Sequence, residues 1–265
     1  MLQVSQLFIY PIKSLGGIEL TEAEVTDRGL KYDRRWLLVD ENNRFLSQRE
    51  HAQMALFKLQ LTEDGLQVTY KNEMLLVPFH PQTTDIETVT IWDDSCRATR
   101  VSDEADEWFT KHLTIRCRLF YMPDDSHRRV DERYARYDEI TSFSDAYPFL
   151  LIGQASLDDL NKRLGDELPM DRFRPNIVFT GGEPYQEDEL KAFEINGISF
   201  FGVKLCARCV MTTIDQQTAA KGAEPLKILS NYRRHNNKIM FGQNLLHSGG
   251  GLIRKGDEIK ITRKS

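Results

Sequence analysis

Short runs of aliphatic, aromatic and β-branched residues, repeatedly cut by tight-turn pairs, constrain what this chain can fold into more than any other feature. Leu7 to Tyr10, Trp36 to Val39, Phe45 to Ser47 and the alternating run Leu56 to Leu61 read as strands, and Thr88 to Trp92 and Ile115 to Tyr121 continue the pattern. Asn42-Asn43 and Asp64-Gly65 fall between such runs. Asn196-Gly197 separates Phe193-Glu194-Ile195 from Ile198 to Phe201, and Gly256-Asp257 precedes a last strand, Glu258 to Thr262. Asn-Gly and Asp-Gly supply the positive φ that two-residue hairpins need. Helical signals are few. Asp103 to Leu113 puts Ala105, Trp108, Phe109 and Leu113 on one face; Ser156 is placed to cap a helix carrying Leu157, Leu160 and Leu164; Pro225 suits the first turn of a helix through Tyr232. Without regular alternation of strand and helix, a doubly wound or Rossmann sheet is not expected, and the chain reads as α+β and β-rich.

From Asp124 to Glu139 charges of both signs crowd out apolar residues, which predicts a solvated connection and two units, 1–123 and 124–265. A net charge of −5 with no basic stripe argues against a nucleic acid polymer as partner. The longest apolar stretches, Leu75 to Phe79 and Pro148 to Ile152, fall far short of the roughly 18–20 residues a bilayer requires, so no membrane span is expected. The first residues, Met1 to Leu7, lack a basic leader and a sustained apolar core, and a cytoplasmic location is expected. In that reducing compartment the four cysteines stay thiols.

Cys206-Ala-Arg-Cys209 follows a predicted strand and admits three readings: half of a zinc site, a redox pair, or two inert buried thiols. A zinc site needs two more ligands from Cys96, Cys117 or scattered histidines, and a redox pair normally opens a helix in a βαβ setting. Tyr10-Pro-Ile-Lys13-Ser14-Leu-Gly-Gly17 sets a cation, a hydroxyl and two glycines beyond a strand, a combination suited to gripping phosphate or making a plain turn. Asp33-Arg34-Arg35-Trp36 offers an ion pair at a strand start. Arg172-Phe-Arg174-Pro-Asn176 offers planar donors to an oxyanion or a structural salt bridge, and Ser142 to Pro148 sets polar groups at a strand's entry edge. Gly249-Gly250-Gly251 reads as a hairpin loop.

Taken in order, Tyr10 to Ser14, Asp33 to Trp36, Ser144-Asp145 through Phe149, Phe173 to Asn176, Cys206 through Thr213 and Phe241-Gly242-Gln243 resemble the MOSC family, specifically YcbX-like proteins and the mitochondrial amidoxime-reducing component. The resemblance spans nearly the whole chain. It implies an N-terminal β-barrel-like domain followed by a MOSC β-barrel domain with a few short helices, and a pyranopterin molybdenum cofactor held between them. By the same comparison Cys209 is the metal ligand and Cys206 a structural neighbour. Lys13, Ser14 and Arg34 grip the cofactor's phosphate and pterin, Asp145, Arg174 and Asn176 make further polar contacts, and Asp145 is a candidate proton relay. Ala146-Tyr147 and Asn244 depart from the mitochondrial relatives and bear on substrate fit.

The activity implied is reduction of small N-hydroxylated substrates such as amidoximes, hydroxylamines or N-hydroxylated bases. Four cysteines without ferredoxin spacing imply electrons from a separate flavin or iron-sulfur reductase. Two other classes remain open at this stage: a carrier of the cofactor or of sulfur without turnover, and a zinc-clipped interaction domain.

Overall fold

In a computed structural model, which describes residues 1–264, the Asn-Gly pair does what its chemistry predicts. Asn196 and Gly197 both take positive φ, 47° and 78°, and turn the strand Leu190–Ile195 into Ile198–Ala207 with Ile195 facing Ile198. Asp64-Gly65 also falls where Lys58–Leu61 turns into Gly65–Tyr70, but neither residue takes positive φ: Leu61 faces Leu66 across a four-residue connection rather than a two-residue turn. Strand accounts for 43% of the protein and helix for 16%, the β-rich α+β architecture expected.

Seven strands close a barrel. Around the ring run Phe149–Gly153, Ile177–Thr180, Leu2–Ile9, Glu258–Lys264, Leu190–Ile195, Ile198–Ala207 and Lys238–Ser248, which pairs back onto Phe149–Gly153. Closure removes the open edges that would otherwise leave backbone groups unpaired. The parallel neighbours Phe149–Gly153 and Ile177–Thr180 are linked by the helix Gln154–Leu164, the crossover that parallel pairing requires. Leu7, Ile9, Phe149, Leu151, Ile177, Phe193, Phe200 and Leu245 fill one core, where Phe193 and Phe200 stack at 5.6 Å.

A second core lies under a four-stranded sheet (Trp36–Val39, Arg118–Tyr121, Asp94–Arg100, Ile86–Ile91) and a three-stranded one (Lys58–Leu61, Gly65–Tyr70, Glu73–Pro78). The helix Asp103–Leu113 packs into it through Ala105, Phe109 and Leu113, and the Ser102 hydroxyl caps it by accepting the Ala105 N–H at 3.1 Å. The sheets also cross the sequence boundary: Leu2–Ile9 is a barrel strand, and Glu22–Thr26 pairs with Gly251–Arg254. The division at 123/124 therefore remains a proposal about sequence units, the last residue of the second, Ser265, lying outside the described residues. The Asp124–Glu139 segment is mostly turn, with one short ladder from Arg128–Arg129 to Ile140–Thr141.

Several local readings are corrected. Phe45 to Ser47 makes only an isolated bridge to Val39, and the run from Leu56 begins as strand only at Lys58, after a 3-10 turn over Ala52–Leu56. Ser156 does not cap its helix, which starts at Gln154 directly from a barrel strand; its buried hydroxyl donates to Glu187 and accepts from the Tyr185 N–H instead. The helix after Pro225 stops at Leu229, short of Tyr232. Gly249 to Gly251 links two strands that do not pair with each other. Among the described residues no helix is long and apolar enough to cross a membrane.

Candidate active site

Loops leaving the barrel rim meet loops from the smaller sheets around an open cleft of about 870 Å³, mouth included. Lys13, Ser14, Arg34, Asp145, Arg174, Asn176 and Cys209, the seven residues predicted for the site, all line it. Three of them, Ser14, Arg34 and Arg174, hold left-handed backbone at φ 67°, 49° and 55°. Non-glycine residues seldom sit there unless the surrounding structure holds them, and such positions cluster at functional sites.

One wall is cationic. The guanidinium groups of Arg34 and Arg174 both pack on the Tyr10 ring, 4.4 and 4.1 Å from its centroid. Arg34 is braced by both Asp33 oxygens, at 2.9 and 2.7 Å, and by the Asn176 side-chain oxygen at 3.2 Å. Arg174 spends one donor on the Leu15 carbonyl, at 2.7 Å, and burial pushes its pKa down to about 10. The Asn176 amide is itself engaged, donating to the Phe8 carbonyl and accepting the Leu150 N–H, so it acts as a strut that aims Arg34.

Lys13 is buried and donates from Nζ to Asp145 Oδ1 at 2.6 Å. Desolvation pushes its pKa down to about 8 against the pull of Asp145. The Asp145 side chain is 60% accessible and opens into the cleft. Crowding by the walls raises its pKa, but Lys13, then Arg49 and the Trp92 N–H, outweigh that and hold the carboxyl well below the usual carboxylate range.

Cys209 immediately precedes a 3-10 turn, Val210–Thr213, just beyond the barrel strand Ile198–Ala207. Its Sγ accepts a hydrogen bond from Arg49 Nε at 3.2 Å. Cys206 also lines the cleft, with Arg208 Nη1 3.0 Å from its sulfur. Cys96 and Cys117, by contrast, are buried, and desolvation pushes each thiol up to about 11. The two CxxC thiols are neither fully buried nor at the start of an α-helix, and among the described residues no three His, Cys, Asp or Glu side chains converge on a metal position. Of the RFRPN arginines, Arg172 is taken up by Thr212 O and Asp215.

Two site residues escaped the sequence reading. Arg49 lies in a turn and Trp92 in the turn between Ile86–Ile91 and Asp94–Arg100, with the guanidinium 4.1 Å from the indole centroid and the indole N–H donated to Asp145 at 3.2 Å. Neither lies in a motif, so only proximity reveals them.

Residues 1–116 match the MOSC N-terminal beta barrel domain, and residues 138–260 match the MOSC domain. The chain belongs to the MOSC family. Mitochondrial amidoxime-reducing component 1 of Mus musculus is 32% identical over 97% of this chain and 82% of its own length, and its Homo sapiens counterpart is 30% identical over the same shares. Molybdenum cofactor sulfurase of Oryza sativa subsp. japonica is 30% identical over 91% of this chain but only 32% of its own. For a MOSC protein the donor set suits a molybdenum cofactor. Cys209 offers a soft sulfur, and Lys13, Ser14, Arg34 and Arg174 offer cationic and hydroxyl donors fit for a phosphate.

Proposed function

We propose that this MOSC protein is a molybdenum-cofactor-dependent oxidoreductase that reduces N-hydroxylated compounds, hydroxylamines, amidoximes or N-hydroxylated bases, with electrons from a separate flavin or iron-sulfur protein in the cytoplasm. The observation that carries the reading is the convergence of Cys209 and a braced cationic wall on one cleft. Names of relatives that refer to amidoxime reduction support it.

In the reaction an N–O bond breaks, two electrons and two protons are taken up, and an amine or amidine and water leave. When bound, the cofactor supplies the two-electron chemistry. Cys209 would hold its metal through the thiolate; Lys13, Ser14, Arg34 and Arg174 would hold its phosphate and pterin, and Asn176 would aim Arg34. Asp145, kept ionised, accepts hydrogen bonds from substrate N–H groups. A relay through the Lys13–Asp145 pair therefore starts from a proton on Lys13 Nζ, not from the carboxyl.

The test is elemental analysis with pterin fluorescence on protein from a cofactor-competent host, comparing wild type with Cys209→Ser, followed by hydroxylamine and amidoxime assays. Near-stoichiometric molybdenum that Cys209→Ser removes, together with turnover, is the expected result; no molybdenum in either protein overturns it. A second reading, a cofactor or sulfur carrier, is favoured by the second cleft thiol, Cys206, and the sulfurase relative. It predicts molybdenum without reduction of any substrate, or a persulfide on a cysteine.

A further inference from the structure

Arg49 and Cys209 stand 160 residues apart in sequence and meet in the cleft, Nε to Sγ at 3.2 Å. The arginine is held from several sides. Its backbone N–H reaches the Ser47 hydroxyl at 3.2 Å, its carbonyl accepts from Lys221 Nζ at 3.3 Å, and its neighbour Gln48 is buried against Ser14 and Gln216. Its guanidinium lies over Trp92, and Nη2 sits 3.9 Å from Asp145 Oδ2. Stacking on an indole and pairing with a carboxylate fix the plane of the group, so Nε–H is aimed at the sulfur.

We propose that Arg49 is a positioning residue for Cys209, through which the turn that carries it orients the ligand sulfur and sets the reduction potential of the centre bound to it. The inference rests on the functional reading above. A guanidinium is a permanent cation with directional donors. Hydrogen-bonded to a ligating thiolate, it draws charge from the sulfur and makes the metal centre easier to reduce, and hydrogen bonds to ligand sulfur are a general lever on potential. Lysine at this position keeps the charge but lacks the planar fork that reaches sulfur, carboxylate and indole together. The Arg49 side chain is 23% accessible and makes its contacts with Cys209, Trp92 and Asp145 in the cleft, so its loss acts there.

The test compares wild type, Arg49→Gln and Arg49→Lys, each loaded in a cofactor-competent host, with Cys209→Ser as the unloaded control. Three quantities are measured: molybdenum per chain, the midpoint of the Mo(V) electron paramagnetic resonance signal in a redox titration, and kcat and KM for hydroxylamine with reduced methyl viologen, expressed per bound molybdenum. Arg49→Gln is expected to keep molybdenum, to shift the midpoint to more negative potential and to lower kcat per molybdenum about tenfold or more, in the range typical of groups that support a metal ligand, with KM nearly unchanged. Arg49→Lys is expected to fall between the two. An Arg49→Gln protein with wild-type midpoint and wild-type kcat per molybdenum overturns the inference, whether or not its molybdenum content drops. If wild type takes up molybdenum and turns over, that failure leaves the functional reading intact; a wild type that takes up none overturns both.

Discussion

Gln48 and Gln216 hydrogen-bond each other head to tail through their side-chain amides, Gln48 Nε2 to Gln216 Oε1 at 3.1 Å and Gln216 Nε2 to Gln48 Oε1 at 3.0 Å. Both are buried, and each also donates to a carbonyl, Ser14 in one case and Ile214 in the other. The pair ties the segment carrying Arg49 to the loop that follows Cys209. Gln48→Leu strands a buried amide, at a cost of roughly 1–3 kcal/mol. Gln48→Leu with Gln216→Leu is expected to cost less than the sum of the two single changes, because neither amide is then left orphaned. Urea unfolding of the four proteins checks this; strictly additive losses would show that the pair is not coupled.

Gly17 packs on the ring that organises the cationic wall. A Cβ there would stand 2.6 Å from Tyr10 Cε1, and that ring is buried and in contact with both Arg34 and Arg174. Gly17→Ala is therefore expected to displace both guanidinium groups and lower cofactor retention while leaving the barrel folded. Pterin fluorescence of the purified variant, read beside its circular dichroism, decides it. Full retention would mean that the cleft adapts.

The pH dependence of turnover should report the Lys13–Asp145 pair. Burial lowers the pKa of Lys13 while the phosphate it would hold favours the ammonium, so kcat/KM is expected to decline on the alkaline side as that proton is lost. Asp145→Asn removes the anion that favours the ammonium, and the alkaline limb should move to lower pH. An Asp145→Asn profile superimposable on wild type would remove this pair from the proton path.

Glu187 governs stability rather than turnover. It is fully buried, with the Ser156 hydroxyl 2.8 Å from Oε2 and no partner for Oε1 among the described residues, and desolvation pushes it up to about 7. A carboxyl whose folded pKa is raised binds its proton more tightly in the native state, so its contribution is intact below the ordinary carboxylate range and is lost as pH rises to about 7. A shift of this size corresponds to about 3 kcal/mol. Glu187→Gln should flatten the decline in Tm between pH 5 and 8 relative to wild type; parallel Tm curves would refute the assignment.

Local chemistry was legible where the deciding interactions lie within a few residues. Asn196-Gly197 specifies its own hairpin, and the spacing of Ala105, Phe109 and Leu113 specifies the helix they bury. Ser156 shows the limit. A serine before an apolar helical run has the composition of a cap, yet the strand Phe149–Gly153 feeds the helix directly and the hydroxyl turns to Glu187, 31 residues away.

The sequence by itself determined the β-rich class, the family resemblance and seven of the residues that line the cleft, because those residues lie in short ordered motifs. Only the tertiary structure decided that Leu2–Ile9 closes a barrel built mainly from the far end of the chain, and that Arg49 and Trp92 stand against Cys209 and Asp145. Those pairings depend on barrel closure and on packing between segments more than 50 residues apart, as from Trp92 to Asp145. No local periodicity encodes contacts at that range: the energy that selects them comes from burying whole faces together.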